Sequence, residues 1–199
     1  MRRNRSRKFA SSEILAQKDE QAAALILQCL AQGEHVEIEG FGIFEPTPNG
    51  GFVFKPFEAP RVFIAYALED AEAVDNLYDA LQAAGMQPWM DRRSLQPGQN
   101  WPRMIESAIE SSDFFVACLS SNSVSKRGGF QSEMRFAFDV ARKHPLDDAF
   151  FIPIRLDECR VPSRISRELQ YIDLFPDWEN GLDRLIAAIR RHSKQRHNR

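Results

Sequence analysis

Glu133 is the residue whose type and position are best suited to chemistry. It follows a polar loop and the glycine pair Gly128-Gly129, and it lies beside the apolar stripe of a predicted helix. A carboxylate in the first turn of a helix opposes the helix dipole, which stabilises the helix by about 0.3–1 kcal/mol. The same carboxylate can instead stabilise positive charge on a bound molecule. The helix alone does not decide between these two roles.

The helix that carries Glu133 belongs to an alternating pattern of strands and helices. Its apolar residues recur at helical spacing, as in a helix packed on a core: Phe130, Met134, Ala137, Phe138 and Ala141. Apolar runs typical of strands occur at 61–66, 86–90, 114–119, 150–156 and 171–174, with helical stretches between them and a final helix from Leu182 to Ile189. This alternation predicts an α/β fold with a flavodoxin-like parallel five-stranded sheet in the order 2-1-3-4-5.

In that strand order, ligands bind outside the carboxyl ends of the first and third strands, where the order reverses. The loops after these strands begin at Tyr66 and Ser120, and Glu133 follows the second loop. We therefore expect these three residues at one edge of the sheet. Asp91 ends the second strand beside them, where it either orders its loop or caps a turn.

Two aromatic residues near this edge each have two interpretations. Tyr66 either contacts a bound molecule or packs at the strand end. Trp101 either closes over a ligand or belongs to the core stripe of its helix, together with Met104 and Ile105. Asp70 is predicted to cap the helix after the first strand.

The sequence lacks the signatures of several common sites. The loop after the first strand, AYALED, has no glycine, which excludes a GxGxxG dinucleotide motif and a P-loop. Leu119-Ser120 ends the third strand where a phosphate-accepting regulator needs aspartate. The four histidines lie outside the predicted site loops, so no Ser-His-Asp or Cys-His set is indicated. The three cysteines are far apart and without metal-ligand spacing, which is typical of reduced, structural cysteines in a cytosolic protein.

Charge and hydropathy give further expectations for the 199-residue chain. Ten of its 26 basic residues lie at 2–8 and 190–199, and we expect solvated basic tails over residues 1–10 and 192–199. No apolar run approaches the length of a membrane span, and the basic N-terminus lacks the apolar core of a signal peptide. These patterns indicate a cytoplasmic protein without a membrane contact.

Residues 11–59 are predicted to form a separate small α+β module. A helix ending near Gly33 and three short apolar runs predict one helix on a three-stranded antiparallel sheet. The run LAQGEHVEIEGFGIFE resembles the centre of the HU/IHF family of DNA-bending proteins, over about residues 12–57. That family's basic arm is replaced by PTPNGG, and residues 9–60 hold two basic against eight acidic residues. The resemblance therefore implies an oligomerisation module, and nucleic-acid binding would depend on residues 2–8 alone.

Residues 60–191 resemble a bacterial Toll/interleukin-1 receptor (TIR) domain. The matching motifs are VFIAY-LED, PWMD with SLQPGQNW, FFVACLSSNSVSKRG and FIPIRLDEC-VP, in this order along the chain. The resemblance implies one of two function classes. TIR domains are either interaction modules or enzymes that break the nicotinamide–ribose bond of NAD⁺.

For the enzymatic class, the resemblance implies that Glu133 is catalytic, because these enzymes use a glutamate at the start of the helix after strand three. It also implies a set of substrate contacts: Ala65, Tyr66, Asp91, Leu95, Trp101, Ser120 and Phe130. Many such enzymes carry a tryptophan four residues before the glutamate, where this chain has Gly129, and Phe130 offers a ring one step later. Ala65 and Ala67 replace a serine and an arginine found in other members.

The resemblance thus implies NAD⁺ as a substrate, with no resident cofactor or metal. The product is ADP-ribose or a cyclic or conjugated nucleotide, in antiphage defence or stress signalling. The alternative is a non-catalytic scaffold that recruits a second TIR or effector protein through the loop 91–99. Either class implies a homo-oligomer through the TIR domain and the N-terminal module, which would raise the local concentration of sites.

The expected position of Glu133 also predicts its ionisation. The positive end of the helix dipole would keep the carboxylate charged. We therefore expect an electrostatic role or a contact to ribose hydroxyls, with no change of activity near pH 6–7.

Overall fold

The computed structural model describes residues 6–9, 19–38, 42–124, 129–141, 143 and 149–197. The chain divides into two compact units, unit 1 (residues 1–58) and unit 2 (residues 59–199). Each unit has a hydrophobic core of its own.

Unit 1 contains a mixed four-stranded sheet and a helix, α1 (Asp19–Ala31). Its strands, in spatial order, are β1 (Ser6–Phe9), β2 (His35–Ile38), β3 (Gly42–Pro46) and β4 (Phe52–Pro56). The strands β2 to β4 are antiparallel, as predicted, whereas β1 pairs in parallel with β2. The prediction of a solvated tail over residues 1–10 is therefore wrong for Ser6–Phe9, because the free edge of β2 supplies hydrogen-bonding partners for that backbone. Residues 39–41, between β2 and β3, lie outside the described residues.

The core of unit 1 is small and open at one edge. Cys29, Leu30 and Val36 are buried, and Phe44 packs against them. The Phe44 ring also contacts the rings of Phe52 and Phe54, at centroid distances of 5.6 and 4.5 Å. These two β4 side chains are nevertheless 48% and 41% exposed. The outer strand of this sheet thus presents aromatic surface to solvent.

Unit 2 is built on a parallel five-stranded sheet. Its strands are β5 (Arg61–Ala65), β6 (Gln87–Trp89), β7 (Phe114–Leu119), β8 (Phe151–Arg155) and β9 (Ile172–Asp173). The spatial order is β6-β5-β7-β8-β9, and every neighbouring pair is parallel. This is the predicted 2-1-3-4-5 order, so the predicted fold class is confirmed. The order reverses between β5 and β7, and in open α/β sheets ligands bind outside the carboxyl ends of the strands at such a point.

The sheet of unit 2 is buried on both faces. Along β7, Phe114, Val116 and Cys118 pack into one core, while Phe115, Ala117 and Leu119 pack into the other. This division follows from the two-residue period of side chains along a strand. Cys29, Cys118 and Cys159 are all buried and free, as predicted.

Helices cover both faces of this sheet. They are α2 (Ala71–Ala83), α3 (Asp91–Ser94), α4 (Trp101–Ser111), α5 (Ser121–Val124), α6 (Gly129–Ala141), α7 (Ser163–Ser166) and α8 (Trp178–His197), with a 3₁₀ turn at Leu68–Asp70. One core contains side chains of α2 and α8, and the other contains side chains of α4 and α6. Gly85, with φ of +82°, ends the turn after α2 in a conformation that favours glycine.

The last helix is longer than predicted. Arg196 donates a hydrogen bond of 2.6 Å to the carbonyl of Asp113, and its guanidinium lies 4.6 Å from the Phe114 ring centroid. The expected tail over residues 192–199 is therefore helical up to His197, and its Arg196 side chain reaches back to the amino-terminal end of β7. Within the described ranges, every helix is too short or too polar to cross a membrane.

Candidate active site

Tyr66, Asp91 and Glu133 come together at the carboxyl edge of the sheet in unit 2. Tyr66 follows β5, Asp91 is the first residue of α3 after β6, and Glu133 lies on α6. The Tyr66 hydroxyl donates to Oδ1 of Asp91 at 2.9 Å, and the backbone N–H of Arg92 donates to the same oxygen at 2.7 Å. The negative charge of Asp91 also acts on the Glu133 carboxyl. Three separate chain segments thus contribute one polar side chain each to a single cluster.

The Glu133 carboxyl is held in an environment that disfavours its charge. Burial, followed by the negative charge of Asp91, raises the pKa of Glu133 from 4.5 to about 7. The expectation of a fully ionised carboxylate is therefore wrong. The helix begins at Gly129, so Glu133 lies beyond its first turn. The stabilising effect of the helix dipole on a negative charge is strongest within that first turn. Among the residues that the structure describes, no cation or hydrogen-bond donor compensates this burial.

The Tyr66 hydroxyl stays protonated for related reasons. Burial, and then the charge of Asp91 and the hydrogen bond to it, raise the Tyr66 pKa well above its ordinary value. This hydroxyl therefore acts as a donor. Its donation to Oδ1 helps to fix the rotamer of the Asp91 carboxylate.

The short helix α3, which carries Asp91, is fastened to α2 by two arginines. Arg93 pairs with Asp75 through Nε at 3.0 Å and with Asp79 through Nη1 at 2.5 Å, and its guanidinium lies 4.5 Å from the Tyr78 ring centroid. Arg92 also pairs with Asp75. A single exposed ion pair contributes little, but this joined set holds one turn of helix in place through several bonds. No local sequence pattern indicates this arrangement, because the paired residues are 14 to 18 positions apart in the chain.

The β7 exit segment, Ser120–Val124, is tied to both neighbouring strands. Oγ of Ser120 donates to Asp70 at 2.5 Å, and Nδ2 of Asn122 donates to the other oxygen of Asp70 at 2.7 Å. On the opposite side, both carboxylate oxygens of Asp157 accept the N–H of Ser121 at 3.0 Å. The predicted capping role of Asp70 is wrong, since its side chain makes no cap bond to α2. Its position directly before α2 is compatible both with capping that helix and with accepting hydrogen bonds from the β7 exit segment, so the sequence did not distinguish the two roles.

A comparison with known protein families identifies the fold of unit 2. The family model described as "TIR domain" matches residues 62–186, which is more than half of the chain. The chain belongs to the TIR domain family. The resemblance drawn from the four sequence motifs is thereby confirmed, and it applies to unit 2.

Two curated relatives match parts of the chain. A protein of Sinorhizobium fredii, y4cD, is 28% identical over 143 residues, which cover 71% of this chain and 22% of that protein. The NAD(+) hydrolase PdTIR of Paracoccus denitrificans is 37% identical over 78 residues, covering 39% of this chain and 25% of that protein. The chain thus spans about a quarter or less of the length of the curated relatives that it matches.

A solved structure shares the fold of the TIR domain. The TIR domain of the Toll-related receptor TRR-2 from Hydra magnipapillata superposes with a TM-score of 0.51 at 26% sequence identity. The match covers 63% of this chain and 97% of that chain. The overlap corresponds in extent to a single TIR domain.

The other residues predicted to contact substrate have diverse positions in the TIR domain. Ala65 is completely buried in β5, and Ser120 is buried with its hydroxyl bonded to Asp70. Leu95 is half-buried directly after α3, and the side chain of Phe130 lies outside the described part. Trp101 is 58% exposed, so its assignment to a core stripe is wrong. Trp101 is the first residue of α4, whereas the buried residues of that helix are Ile105 and Ile109, in its later turns.

Four acidic side chains lie at this edge, among neutral and basic ones. Asp70, Asp91, Glu133 and Asp157 lie at or near the carboxyl ends of the strands, yet they do not gather into a metal site. Within the ranges that the structure describes, no three His, Cys, Asp or Glu side chains are grouped closely enough to hold a metal ion. The arrangement suits the recognition of a cationic or hydroxyl-rich molecule by carboxylates.

Proposed function

We propose that this chain is an NAD⁺ nucleosidase that cleaves the bond between nicotinamide and ribose. The observation that carries the proposal is the half-buried carboxyl of Glu133, beside the hydrogen-bonded pair Tyr66–Asp91 at the carboxyl edge of a TIR domain. A carboxyl group with a raised pKa at the ligand-binding edge of an α/β sheet is a candidate catalytic residue. The partial match to an NAD(+) hydrolase adds support.

The chemistry requires stabilisation of positive charge. When the bond from ribose carbon to nicotinamide nitrogen breaks, its electron pair leaves with the nitrogen, and the ribose becomes an oxocarbenium-like cation. Nicotinamide leaves as a neutral molecule, so no proton has to be delivered to it. A carboxylate about 4 Å from that cation, at an effective dielectric of about 20, contributes about 4 kcal/mol. This corresponds to roughly a thousandfold in rate.

The second half of the reaction decides the product. Addition of water to the ribose cation, with loss of one proton, gives ADP-ribose. Addition of a hydroxyl or a ring nitrogen of a nucleotide gives a cyclic or conjugated product. We infer that Glu133 acts in its ionised form in both cases. The positive charge of the bound nicotinamide ring would lower the Glu133 pKa and favour that form.

Incubation of the purified chain with NAD⁺, followed by chromatography of the products, tests this function. We expect nicotinamide together with ADP-ribose or a cyclic or conjugated nucleotide. Glu133→Gln keeps the size of the side chain and removes the charge, so we expect at least a hundredfold loss of turnover. Asp139→Asn, on the exposed side of the same helix, is the matched control and should retain activity. Unchanged turnover in Glu133→Gln would contradict the role of this residue.

A non-catalytic scaffold is the second candidate, and the exposure of Trp101 favours it. A tryptophan that is 58% exposed, just after the segment 91–99, is typical of a contact surface. A scaffold would leave NAD⁺ intact and would lose assembly on Trp101→Ser. The NAD⁺ assay on the unmodified chain separates the two candidates, and sedimentation analysis of Trp101→Ser tests whether this surface mediates assembly.

Unit 1 is proposed to promote self-association. Its β4 is an edge strand with exposed Phe52, Val53 and Phe54. Such an edge can pair with another strand through its free backbone groups. Val53→Lys places a charge on this edge and should shift the chain towards the monomer in sedimentation. An unchanged sedimentation coefficient would argue against this surface.

A further inference from the structure

Arg92 is a cation beside the Tyr66–Asp91 pair. Its backbone N–H donates at 2.7 Å to the same Asp91 oxygen that accepts the Tyr66 hydroxyl. Its guanidinium pairs with Asp75 of α2. Burial and Asp91 have the largest effects on the Tyr66 pKa, and the charges of Arg92 and Asp75 also act on that hydroxyl. The Arg92–Asp75 ion pair therefore lies at the edge of the candidate active site.

Arg92 keeps more of its donors available than two other arginines of the same sheet edge. Among the described residues, its side chain bonds to Asp75 through Nη2 alone, and it is 50% exposed. Arg93 uses all three of its side-chain nitrogens on carboxylates of α2. Arg155 uses all three on Asp173 and a backbone carbonyl. Since a guanidinium has five N–H donors, Arg92 can bind a second anionic group.

The proposed substrate carries negative charge that the carboxyl groups of this edge disfavour. The diphosphate of NAD⁺ is attached through C5′ to the same ribose whose C1′ reacts, so it enters the site together with the reacting carbon. The carboxyl groups at or near this edge are those of Asp70, Asp91, Glu133 and Asp157. They repel a diphosphate unless a cation lies close by. Arginine suits this task, because its planar fork binds phosphate oxygens in pairs.

We propose that Arg92 binds the diphosphate of the substrate, exchanging its bond with Asp75 for phosphate oxygens when the nucleotide enters. This inference rests on the proposed function for the identity of the nucleotide. An exposed ion pair contributes little to stability, so its exchange costs little. Arg93 remains paired with Asp79 during the exchange and keeps α3 on α2. Asp75 is thus a competitor of the phosphates for the Arg92 guanidinium.

Substitutions on the two sides of the ion pair distinguish substrate binding from a structural role. Arg92→Gln removes the cation, so we expect KM for NAD⁺ to rise about tenfold or more while kcat changes less than about threefold. Asp75→Asn removes the competitor and should lower KM by about two- to fivefold. If Arg92 only fastened α3, both substitutions would raise KM alike. Equal increases in the two variants, or an unchanged KM in Arg92→Gln, overturn the proposal.

Arg184→Gln is the matched control for the loss of one positive charge. Arg184 is exposed on α8, which contacts β9 at the opposite edge of the sheet from β6. We expect its KM to stay within about twofold of the unmodified chain, because solvent and salt screen a distant exposed charge. A rise as large as that of Arg92→Gln would show that net charge attracts the substrate, which would also overturn the proposal.

Calorimetry with ADP and with adenosine tests the inference without turnover. ADP carries a diphosphate and adenosine carries none. We expect Arg92→Gln to bind ADP about tenfold more weakly than the unmodified chain does, whereas adenosine should not distinguish the two proteins. Equal affinity of both proteins for ADP refutes the role of Arg92, and so does the absence of ADP binding to the unmodified chain. Weaker ADP binding in Arg92→Gln, together with no NAD⁺ turnover in the unmodified chain, would support this inference and refute the proposed function alone.

Discussion

Tyr66 and Asp91 are joined by a hydrogen bond of 2.9 Å from the tyrosine hydroxyl to Oδ1 of the carboxylate. The bond connects the end of β5 to the first residue of α3, which are 25 positions apart in the chain. Asp91 is at the same time the charged group that acts on Glu133. A substitution of Tyr66 should therefore affect the pKa of the proposed catalytic carboxyl through Asp91.

The coupling between Tyr66 and Asp91 can be measured directly. In a double-mutant cycle of Tyr66→Phe and Asp91→Ala, we expect a coupling of about 1–2 kcal/mol in the free energy of unfolding, because the acceptor is charged and half-buried. All three tryptophans, Trp89, Trp101 and Trp178, lie in unit 2, so tryptophan fluorescence in urea reports on that unit. Tyr78→Phe provides a control that should show no coupling to Asp91. A coupling below about 0.5 kcal/mol for the Tyr66 cycle would mean that this bond is not maintained in solution.

The pH dependence of turnover follows from the raised pKa of Glu133. If the ionised form is active, kcat/KM should rise with pH to a plateau, with a midpoint near 7 for the free enzyme. Asp91→Asn removes the repelling charge and should move this midpoint down. It should not bring it back to 4.5, because burial, the larger cause, persists. A flat profile from pH 5.5 to 8 would exclude Glu133 as the titrating catalytic group.

The same shift makes Glu133 a source of instability at high pH. The folded state holds the proton more tightly than the unfolded state, whose pKa is near 4.5, so stability falls as pH rises from about 4.5 through 7. Glu133→Gln should therefore stabilise unit 2 by up to about 3 kcal/mol at pH 8 and have little effect at pH 4. Urea unfolding at the two pH values measures the difference. Equal stability of both proteins at pH 8 would show that the carboxyl is solvated.

The ion pair between Arg155 and Asp173 allows a prediction of stability at a position away from the candidate active site. Arg155 binds Asp173 through Nε at 2.5 Å and Nη2 at 2.9 Å, and it donates to the carbonyl of Cys159 at 3.0 Å. Lysine cannot reproduce this fork, so Arg155→Lys should destabilise unit 2 by about 1–3 kcal/mol. The hydrogen bond from Arg155 lowers the Asp173 pKa. The stability lost in Arg155→Lys should therefore be at its full value above pH 4 and should become smaller at lower pH, as Asp173 becomes protonated.

The matched comparison for Arg155→Lys is Arg61→Lys. Arg61 lies 3.6 Å from Asp113 and is more exposed than Arg155, so its replacement should change stability by less than about 0.5 kcal/mol. Equal effects of the two substitutions would mean that the bidentate geometry of Arg155 contributes nothing.

The architecture could be predicted because it depends on local patterns. The continuous apolar run Phe114–Leu119 and the alternation of strands with helical stripes indicate a doubly covered parallel sheet, and five such strands indicate the flavodoxin-like strand order. The meeting of Tyr66, Asp91 and Glu133 also followed from topology, since the carboxyl ends of parallel strands share one edge.

The electrostatics of the site could not be predicted in the same way. The raised pKa of Glu133 depends on its burial and on the distant Asp91, and neither is encoded in the helix that carries it. The use of Asp70 as an acceptor for Ser120 joins residues 50 positions apart. Trp101 fits the spacing of an apolar stripe, yet a residue at the first turn of a helix can extend past the core that covers later turns.

One row of aromatic rings crosses the sheet of unit 2. Trp89 stacks on Phe63 at 4.8 Å, Phe63 on Phe115 at 5.3 Å, Phe115 on Phe151 at 5.1 Å, and Phe151 on Phe138 of α6 at 4.4 Å. Adjacent rings in fixed, chiral arrangement couple their electronic transitions. The near-ultraviolet circular dichroism of Trp89 should therefore respond to repacking of α6 at the far end of the row. The chain thus carries its own optical reporter for the helix that bears the proposed catalytic carboxyl, without an added label.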